Sequence, residues 1–277
     1  DLNQRLKGKT KEGVDDVLTE GDLKSHWTMV QGLSTSFQGL KMISEEHSNN
    51  QIDNLEFEPI YVSKKYLYDE EYSQLPNDID LPIGELTVWI DPLDATKEYS
   101  ENLTQYVTTM VCVARNGDPI IGVIHKPFTS ETFWGWVNQG TSANININSQ
   151  KQAKDLKDYK FIVSRSHAGD VEQTVKSAFG PNTQVISAAG SGYKTIQLIN
   201  GHVDAYVHET IIKKWDICAP NAILNSIIGG KMTTLNGDLI KYNDIIIGHD
   251  VQINNGILAT VNKNHNEILK ILKPKSS

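Results

Sequence analysis

The chain has 277 residues, of which 39% are hydrophobic and 22% are charged, so it is long enough to bury a sizeable core in one large domain or in two closely joined lobes. Its net charge of -8 argues against a nucleic-acid polymer as partner, because an acidic surface repels polyanions. The sequence contains no apolar run long enough to span a bilayer and no signal peptide, so we expect no membrane contact from this segment.

The first half of the chain predicts a helix followed by a sheet. Apolar residues recur at helical spacing over residues 22–43, and the polar stretch 48–80 is typical of a loop. The Asn116-Gly117 pair lies between two apolar runs and predicts a hairpin turn. Strands are predicted over residues 86–90, 106–114, 120–125 and 132–137.

The second half of the chain alternates predicted strands and helices. A Gly-rich turn at 189–192 is expected to open one helix and Asp216 another, and Asn236-Gly237 predicts a further hairpin turn. Strands are predicted at 161–163, 185–186 and 204–208. This order predicts an α/β layered sandwich of two lobes, 1–150 and 151–277, joined through the polar segment 142–158.

Both cysteines lie within apolar stretches of the sequence. Cys112 and Cys218 are interpreted as two buried small hydrophobic residues, since no Cys-x-x-Cys pattern supports a disulfide or a catalytic thiol. The triplet Asn102-Leu103-Thr104 would accept a glycan if the protein entered the secretory pathway.

A pair of carboxylates follows directly on a predicted buried strand. Asp91 and Asp94 lie three residues apart, with Pro92 making the turn between them rigid, so both can point into one cleft. Mg²⁺ is commonly held by one or two carboxylates together with substrate phosphate, and two ions about 3.5–4 Å apart can clamp a phosphate ester. The pattern alone also fits an Asp-rich turn that caps the next helix.

Further carboxylates stand at predicted element ends. Glu45 and Glu46 follow the apolar end of a predicted strand, and Asp216 precedes a predicted helix. Asp22 precedes the first helix, where an N-cap role is the simplest interpretation. Each position alone has an ordinary structural explanation.

In combination, these residues resemble the inositol monophosphatase-like superfamily of metal-dependent, lithium-sensitive phosphatases. The first signature is Asp91-Pro-Leu-Asp-Ala-Thr96, the second is Trp215-Asp216-Ile-Cys-Ala219, and the pair Glu45-Glu46 precedes both in the expected order. The resemblance extends from residue 12 to residue 270. It implies a two-lobed αβαβα sandwich of the inositol monophosphatase and fructose-1,6-bisphosphatase type.

Within this superfamily the details are similar to the 3'-nucleotidase branch, and especially to its Golgi members. Lys97-Glu98-Tyr99 follows the first signature as in that branch, and Ala95 replaces the usual Gly as in the Golgi members. Pro220 departs from the pattern, because similar enzymes usually have a small residue there, although a proline in the first turns of a helix is tolerated.

The resemblance implies a role for each matching residue. Asp22 and Thr96 would orient and deprotonate the attacking water, whose pKa a bound metal lowers. Two or three Mg²⁺ ions would be held in the first lobe by the Leu93 carbonyl and by Glu45, Asp91 and Asp94, and the second lobe would contribute Asp216. The second lobe would bind the nucleotide through Ser164, His167, Gly190, Lys194 and Asp216.

The implied reaction is hydrolysis of the 3'-phosphate of adenosine 3',5'-bisphosphate, giving AMP and phosphate, with inhibition by Li⁺. An inositol phosphate or polyphosphate 1-phosphatase with the same metals, and a non-catalytic sensor of phosphorylated ligands, remain alternatives. The Golgi lumen is the expected location, with an N-terminal membrane anchor preceding Asp1 in the full-length protein; a cytoplasmic location is the alternative. A homodimer also remains open.

Overall fold

A computed structural model describes residues 4–9, 15–46, 76–145, 155–165, 170–243, 251–261 and 264–272. Its elements are stacked in the order helix, sheet, helices, sheet, helices, which confirms the αβαβα sandwich. Most of the predicted loop 48–80 lies outside the described residues. No described helix combines the length and the apolarity needed to cross a bilayer.

The N-terminal part begins with an antiparallel pair of strands, β1 (Gln4–Lys9) and β2 (Asp15–Thr19). Helix α1 (Glu20–Ser36) follows at once, and β3 is a short strand (Lys41–Ser44). The predicted helix over 22–43 was therefore too long, because Gly39 adopts a left-handed φ of 82° and separates the helix from the strand.

The first large sheet contains six described strands in the order β3-β4-β5-β6-β7-β8, with β3 parallel to β4 and the other neighbours antiparallel. Its remaining members are β4 (Leu86–Asp94), β5 (Thr108–Arg115), β6 (Asp118–Lys126), β7 (Glu131–Trp136) and β8 (Gly140–Thr141). The four predicted strands are confirmed. However, β4 continues past Ile90 through Pro92, with a shift of its register against β5 between Asp91 and Asp94. Helix α2 (Thr96–Ser100) follows this irregular end.

The second large sheet has the described order β10-β9-β11-β15-β13. Its strands are β9 (Lys160–Ser164), β10 (Gln184–Ala188), β11 (Ala205–His208), β13 (Lys231–Thr234) and β15 (Ile257–Thr260). The short strands β12 (Ile212–Lys213) and β14 (Gln252–Ile253) pair separately. A turn lies at Asn236-Gly237, as predicted, and the described residues that follow it, up to 243, form no strand. Strand β13 itself pairs with β15.

The helices of the second half cover both faces of this sheet. They are α3 (Val171–Phe179), α4 (Ser191–Ile199), α5 (Lys214–Asn225) and α6 (His265–Leu272). Helices α4 and α5 fill the layer between the two sheets, while α3 and α6 pack on the outer face. One buried cluster thus joins Trp89 and Met110 of the first sheet to Ile217 and Ile223 of α5. The division into lobes at residue 150 lies outside the described residues and stays a prediction.

The two cysteines form a disulfide between β5 and α5. The Cys112–Cys218 bond has an S–S distance of 2.01 Å, and both residues are buried. The interpretation of these residues as two separate hydrophobic side chains was therefore wrong. The pairing depends on how α5 packs on the sheet, since 106 residues separate the two cysteines and no local pattern signals their contact.

Candidate metal and phosphate site

The first turn of α1 holds Asp22 in a fixed orientation. Thr19 is the N-cap, and Asp22 is the third helical residue rather than the cap that the simplest interpretation of the sequence had given. Asp22 Oδ2 accepts hydrogen bonds from the backbone nitrogen of Thr19 at 2.8 Å and from its hydroxyl at 2.5 Å. The Asp22 backbone nitrogen donates in return to Thr19 Oγ1 at 3.4 Å, which completes a capping box. The carboxylate is therefore oriented by the start of the helix itself.

The other oxygen of Asp22 faces the first signature. Thr96 Oγ1 lies 2.9 Å from Asp22 Oδ1 and 2.9 Å from the Leu93 carbonyl oxygen. A single hydroxyl proton serves only one of these two acceptors at a time. Burial raises the pKa of Asp22, while the hydrogen bonds from Thr19 and Thr96 oppose the shift. The predicted pair Asp22 and Thr96 is therefore brought together with the geometry of a proton relay.

Ala95, which stands between Asp94 and Thr96, is the residue that departs from the glycine expected from the resemblance. Ala95 adopts a left-handed conformation, with φ 69° and ψ 43°, directly before α2. Glycine reaches this region freely, whereas an alanine there costs about 1–2 kcal/mol. The turn that the superfamily usually builds with Gly is thus retained with Ala95 at some cost in strain.

Four acidic side chains gather around the end of β4. The backbone nitrogen of Glu45 donates to the Ile90 carbonyl at 3.0 Å, which extends the parallel β3–β4 pairing and brings Glu45 next to Asp91. Asp91 Oδ1 accepts from the Leu93 nitrogen at 3.2 Å. Asp216 approaches from α5, where its Oδ2 accepts from the Lys213 nitrogen at 3.0 Å.

Asp94 connects this cluster to the second sheet. Its Oδ2 accepts hydrogen bonds from the Gly192 nitrogen at 2.7 Å and from the Thr108 hydroxyl at 3.2 Å. Gly192 lies in the first turn of α4, so the Asp94 side chain, which comes from β4, also accepts a free backbone N–H at the start of α4. The carboxylates predicted as metal ligands therefore come from β4, from the residue after β3 and from the first turn of α5, and Asp94 connects them to the start of α4.

Burial and mutual repulsion make these acids costly to ionise. Burial, followed by the charges of Glu45, Asp94 and Asp216, raises the pKa of Asp91 well above its usual range. The pKa of Glu45 rises to about 8 and that of Asp216 to about 7, in both cases mainly because of burial. Burial also raises the pKa of Asp94, against the opposing charge of Lys194. A cation among these groups would relieve the cost.

The donor set fits Mg²⁺ bound together with water and phosphate. No three acidic, histidine or cysteine side chains in the described ranges converge closely enough to enclose a metal without other ligands. Mg²⁺ does not require such a cage, because it usually retains several waters and takes one or two carboxylates plus substrate oxygens. The acids around Asp91 offer only oxygen ligands, which Mg²⁺ prefers, and their mutual repulsion would be reduced by a bound cation.

Two of the predicted phosphate-binding residues, Ser164 and Gly190, lie where β9 and β10 end. Ser164 and Ala188 are register partners at the ends of β9 and β10, so Ser164 lies beside the turn at Gly190. Gly190 has a φ of 69°, and a Cβ there would lie 2.8 Å from the Tyr106 carbonyl oxygen. No side chain is therefore accommodated at this close approach. His167 lies outside the described residues.

Lys194 supplies a buried positive charge on α4. Its side chain is 3% exposed, and its ammonium lies over the Tyr206 ring at 5.2 Å from the centroid. Burial lowers the pKa of Lys194 to about 8, while the charges of Asp94, Glu98 and Asp216 favour its protonated form. The cation thus lies next to the acidic cluster, and its role at a substrate phosphate stays a prediction.

Sequence reasoning did not identify three residues that support the site. Lys7 on β1 pairs with Glu45 at 3.4 Å and also contacts the buried carboxylate of Glu46. Ser25 donates to the Pro92 carbonyl at 2.6 Å, and Thr108 binds Asp94 as described. None of these contacts has a local signal, since each joins residues that only the fold brings together.

Comparisons with known proteins show the family of this chain. A family model described as "Inositol monophosphatase family" matches residues 1–276. The "Golgi-resident adenosine 3',5'-bisphosphate 3'-phosphatase" of Mus musculus is 44% identical, over 98% of this chain and 73% of its own length. "Inositol monophosphatase 3" of Danio rerio is 43% identical, over 98% of this chain and 76% of its own length.

A solved structure shares the fold. An IMPase/NADP phosphatase complexed with Mg²⁺ and phosphate superposes with a TM-score of 0.69 at 17% identity, covering 99% of this chain and 88% of that one. Fold and site together define a layered α/β phosphatase with a carboxylate-rich centre. The chain belongs to the inositol monophosphatase family.

Proposed function

We propose that this protein is a Mg²⁺-dependent phosphatase that removes the 3'-phosphate of adenosine 3',5'-bisphosphate, giving AMP and phosphate. The observation that carries the proposal is the hydrogen-bonded pair of Asp22 and Thr96, 2.9 Å apart, at the edge of a buried acidic cluster. The relative of Mus musculus that bears this activity in its name is 44% identical over nearly the whole chain.

The acidic cluster would hold two or three Mg²⁺ ions. The ligands in this proposal are the side chains of Glu45, Asp91, Asp94 and Asp216 and the carbonyl oxygen of Leu93. Bound Mg²⁺ supplies positive charge that polarises the phosphate ester and makes water a stronger nucleophile. The chain's own contribution is to hold these oxygens in place through backbone donors, such as the Lys213 nitrogen 3.0 Å from Asp216.

Asp22 and Thr96 would handle the proton of the attacking water. A water that donates to Thr96 Oγ1 can pass its proton to Asp22 Oδ1 through the 2.9 Å hydrogen bond. The raised pKa of Asp22 favours this step, because it makes the carboxylate a better proton acceptor than an exposed aspartate. No covalent bond between enzyme and phosphate is needed.

The second phosphate of the substrate would be bound in the half that follows residue 150. Ser164, His167, Gly190 and Lys194 are the proposed contacts, with Asp216 at the boundary with the metals. The approach of a phosphate dianion to Lys194 would stabilise the protonated amine, whose pKa of about 8 in the protein is lowered by burial. Lys194 would therefore distinguish a bisphosphate from a monophosphate by charge.

Hydrolysis of an inositol phosphate is the second candidate. The relative of Danio rerio, which is called inositol monophosphatase 3, is 43% identical and favours it. A non-catalytic sensor is disfavoured, since the relay of Thr96 to Asp22 is intact. The Golgi lumen, after the name of the Mus musculus relative, and inhibition by Li⁺ are further parts of the proposal, and a homodimer is compatible with it.

A substrate comparison tests the proposal. Phosphate release with Mg²⁺ is measured for adenosine 3',5'-bisphosphate and for inositol 1,4-bisphosphate, with wild type and Asp91→Ala, and the nucleotide product is identified by ion exchange. We expect turnover of the nucleotide to 5'-AMP, abolished by the substitution. Preference for the inositol compound would keep the metal site but replace the substrate, and turnover of neither would favour the sensor.

A further inference from the structure

A row of four residues crosses the first sheet at one level. Trp89 of β4 pairs with Cys112 of β5, Cys112 with Gly122 of β6, and Gly122 with Gly135 of β7. Because directly opposed residues of neighbouring strands point to the same face, these four positions form a continuous line across the strands. Two of them lack a side chain, so the line is a shallow groove on the face that carries α5.

Helix α5 lies along this groove. Cys218 is bonded to Cys112, and a Cβ on Gly122 would lie 2.2 Å from the carbonyl oxygen of Ala219. Further along the helix, a Cβ on Gly135 would lie 2.9 Å from Ile223 Cα.

At the start of the helix, the ammonium of Lys214 lies 5.9 Å from the centroid of the Trp89 ring. The helix thus crosses β4, β5, β6 and β7 in order, with its backbone against the sheet.

These contacts constrain the helix in different ways. The glycine contacts at β6 and β7 set how closely α5 approaches the sheet, but they offer no side chain that interlocks with it. The disulfide ties one helical position to one strand position, with 5.6 Å between the two Cα atoms. A helix that moves by one turn shifts by about 5.4 Å, and the covalent link excludes such a shift. The disulfide therefore fixes the position of α5 along the groove.

Both cysteines of the disulfide lie two residues from a position at the acidic cluster, Cys218 from Asp216 on α5 and Cys112 from the register partner of Asp91 on β5. Asp216 precedes Cys218 by two residues in the first turns of α5. On the sheet, Asp91 is the register partner of Met110, which precedes Cys112 by two residues on the same buried face of β5. A displacement of α5 would hence change the separation between Asp216 and Asp91 directly.

We propose that the Cys112–Cys218 disulfide is a positioning element of the metal site, which holds Asp216 at the distance from Asp91 and Asp94 that binding requires. This inference rests on the proposed role of Asp216 as a metal ligand. The bond forms when two thiols give up two electrons and two protons to a disulfide oxidant by thiol–disulfide exchange. The site is thus completed in an oxidising compartment, which agrees with folding in the secretory pathway.

The test compares Mg²⁺ binding with and without the disulfide. The Mg²⁺ dissociation constant is measured by calorimetry for wild type, for Cys112→Ala/Cys218→Ala, and for Val175→Ala as control. Val175 is fully buried in the outer α3 layer, so its truncation destabilises the protein away from the site. We expect Mg²⁺ affinity to fall about tenfold in the double variant, as for loss of a group that orients a ligand, and to be unchanged in the control.

Three results overturn the inference. They are two free thiols in denatured wild type, equal Mg²⁺ affinity in wild type and double variant, and an equal loss of affinity in the Val175→Ala control. If the double variant does not fold, the disulfide of wild type is reduced in mild denaturant and the protein is diluted into buffer with reductant. Its Mg²⁺ affinity is then compared with that of oxidised wild type.

Failure of the proposed substrate gives a different result. Normal Mg²⁺ binding without hydrolysis of adenosine 3',5'-bisphosphate contradicts the substrate, while the binding comparison still decides the role of the disulfide. A wild type that binds no Mg²⁺ contradicts both proposals.

Discussion

Two helices of this protein begin with the same local arrangement and deliver carboxylates to one site. Asp22 in α1 and Asp216 in α5 are each the third residue of their helix. In each case Oδ2 accepts a hydrogen bond from the N-cap backbone nitrogen, at 2.8 Å from Thr19 and at 3.0 Å from Lys213. The helix start thus fixes the rotamer of both acids before any ligand is bound.

The surroundings of the two acids differ. Asp22 is 1% exposed, and its second oxygen receives the hydroxyl of Thr96. Asp216 is half-buried and lies among other charges, and burial together with the charge of Asp94 raises its pKa to about 7. The same capping geometry thus presents one carboxylate to a hydroxyl and the other to a charged cluster. In the proposed function, this difference in neighbours assigns Asp22 to the proton of the attacking water and Asp216 to the metal.

The largest effect is expected for Asp91→Asn, which alters the acid at the centre of the cluster. The amide keeps the size of the side chain and its contact with the Leu93 nitrogen, but it removes the charge that would hold Mg²⁺. We expect kcat/KM to fall about a thousandfold, equivalent to about 4 kcal/mol of transition-state stabilisation. Phosphate release at saturating Mg²⁺ measures this.

Stability provides the control for this variant. Without Mg²⁺, Asp91→Asn should unfold at a higher temperature than wild type, because it removes a buried charge that its neighbours repel. A lower unfolding temperature together with lost activity would indicate damage to the fold instead.

A smaller effect is expected on the α1 side. Thr96→Val keeps the shape of the side chain and removes the hydroxyl that links the water to Asp22. We expect kcat to fall about 10²-fold with Mg²⁺ affinity unchanged, as for loss of general base catalysis. Thr96→Ser restores the hydroxyl and should recover most of the rate. Equal rates for the Val and Ser variants would contradict the relay.

Much of this site could be predicted from local sequence, and the reasons for the failures are physical. The strand before Asp91 was predicted because four of its five residues, 86–90, are apolar, but Asp91-Pro92 was interpreted as a turn. In the structure the strand continues through Pro92. The register against β5 shifts there, so the proline nitrogen does not have to donate a hydrogen bond to the neighbouring strand.

Contacts between distant segments could not be predicted. Lys7 reaches Glu45 across 38 residues, and the disulfide closes across 106. Both depend on which faces of the two elements meet, and this is decided by packing of the whole fold rather than by composition or periodicity. Asp22 was found by resemblance, while its exact place in the helix follows from the Thr19-x-x-Asp22 spacing of a capping box.

A pH-dependent effect on stability should report the cost of ionising the charged cluster. The pKa values of Glu45, about 8, and Asp216, about 7, lie above those of an unfolded chain. Their contribution to stability is therefore present at low pH and is lost as pH rises through these values. Without Mg²⁺ we expect the unfolding temperature attributable to these acids to fall by several degrees between about pH 5 and 7.5.

Scanning calorimetry with EDTA and with Mg²⁺ measures this effect. Mg²⁺ should reduce the decline, because it stabilises the ionised acids, and Asp216→Asn should reduce it without metal. Above about pH 8 the lowered pKa of Lys194 gives a slope of the opposite sign, so the comparison ends below that value. An unfolding temperature that rises over this range in EDTA would contradict the proposed repulsion.

The smallest effect concerns the caps themselves. Thr19→Ala removes a hydroxyl that accepts from the Gly21 nitrogen at 3.1 Å and donates to Asp22, and it should cost about 1 kcal/mol of stability in urea unfolding. Lys213→Ala leaves the backbone donor to Asp216 in place and should cost less. Equal losses would show that the two helix starts depend on their N-cap side chains alike.

The most direct test of the different roles of the two acids is the Mg²⁺ dissociation constant of Asp22→Asn and Asp216→Asn, measured side by side by calorimetry. We predict that Asp216→Asn weakens Mg²⁺ binding about tenfold or more, whereas Asp22→Asn leaves it within about twofold of wild type while losing its turnover. Equal weakening in both variants, or weakening in Asp22→Asn alone, would contradict the assignment of one acid to the proton and the other to the metal.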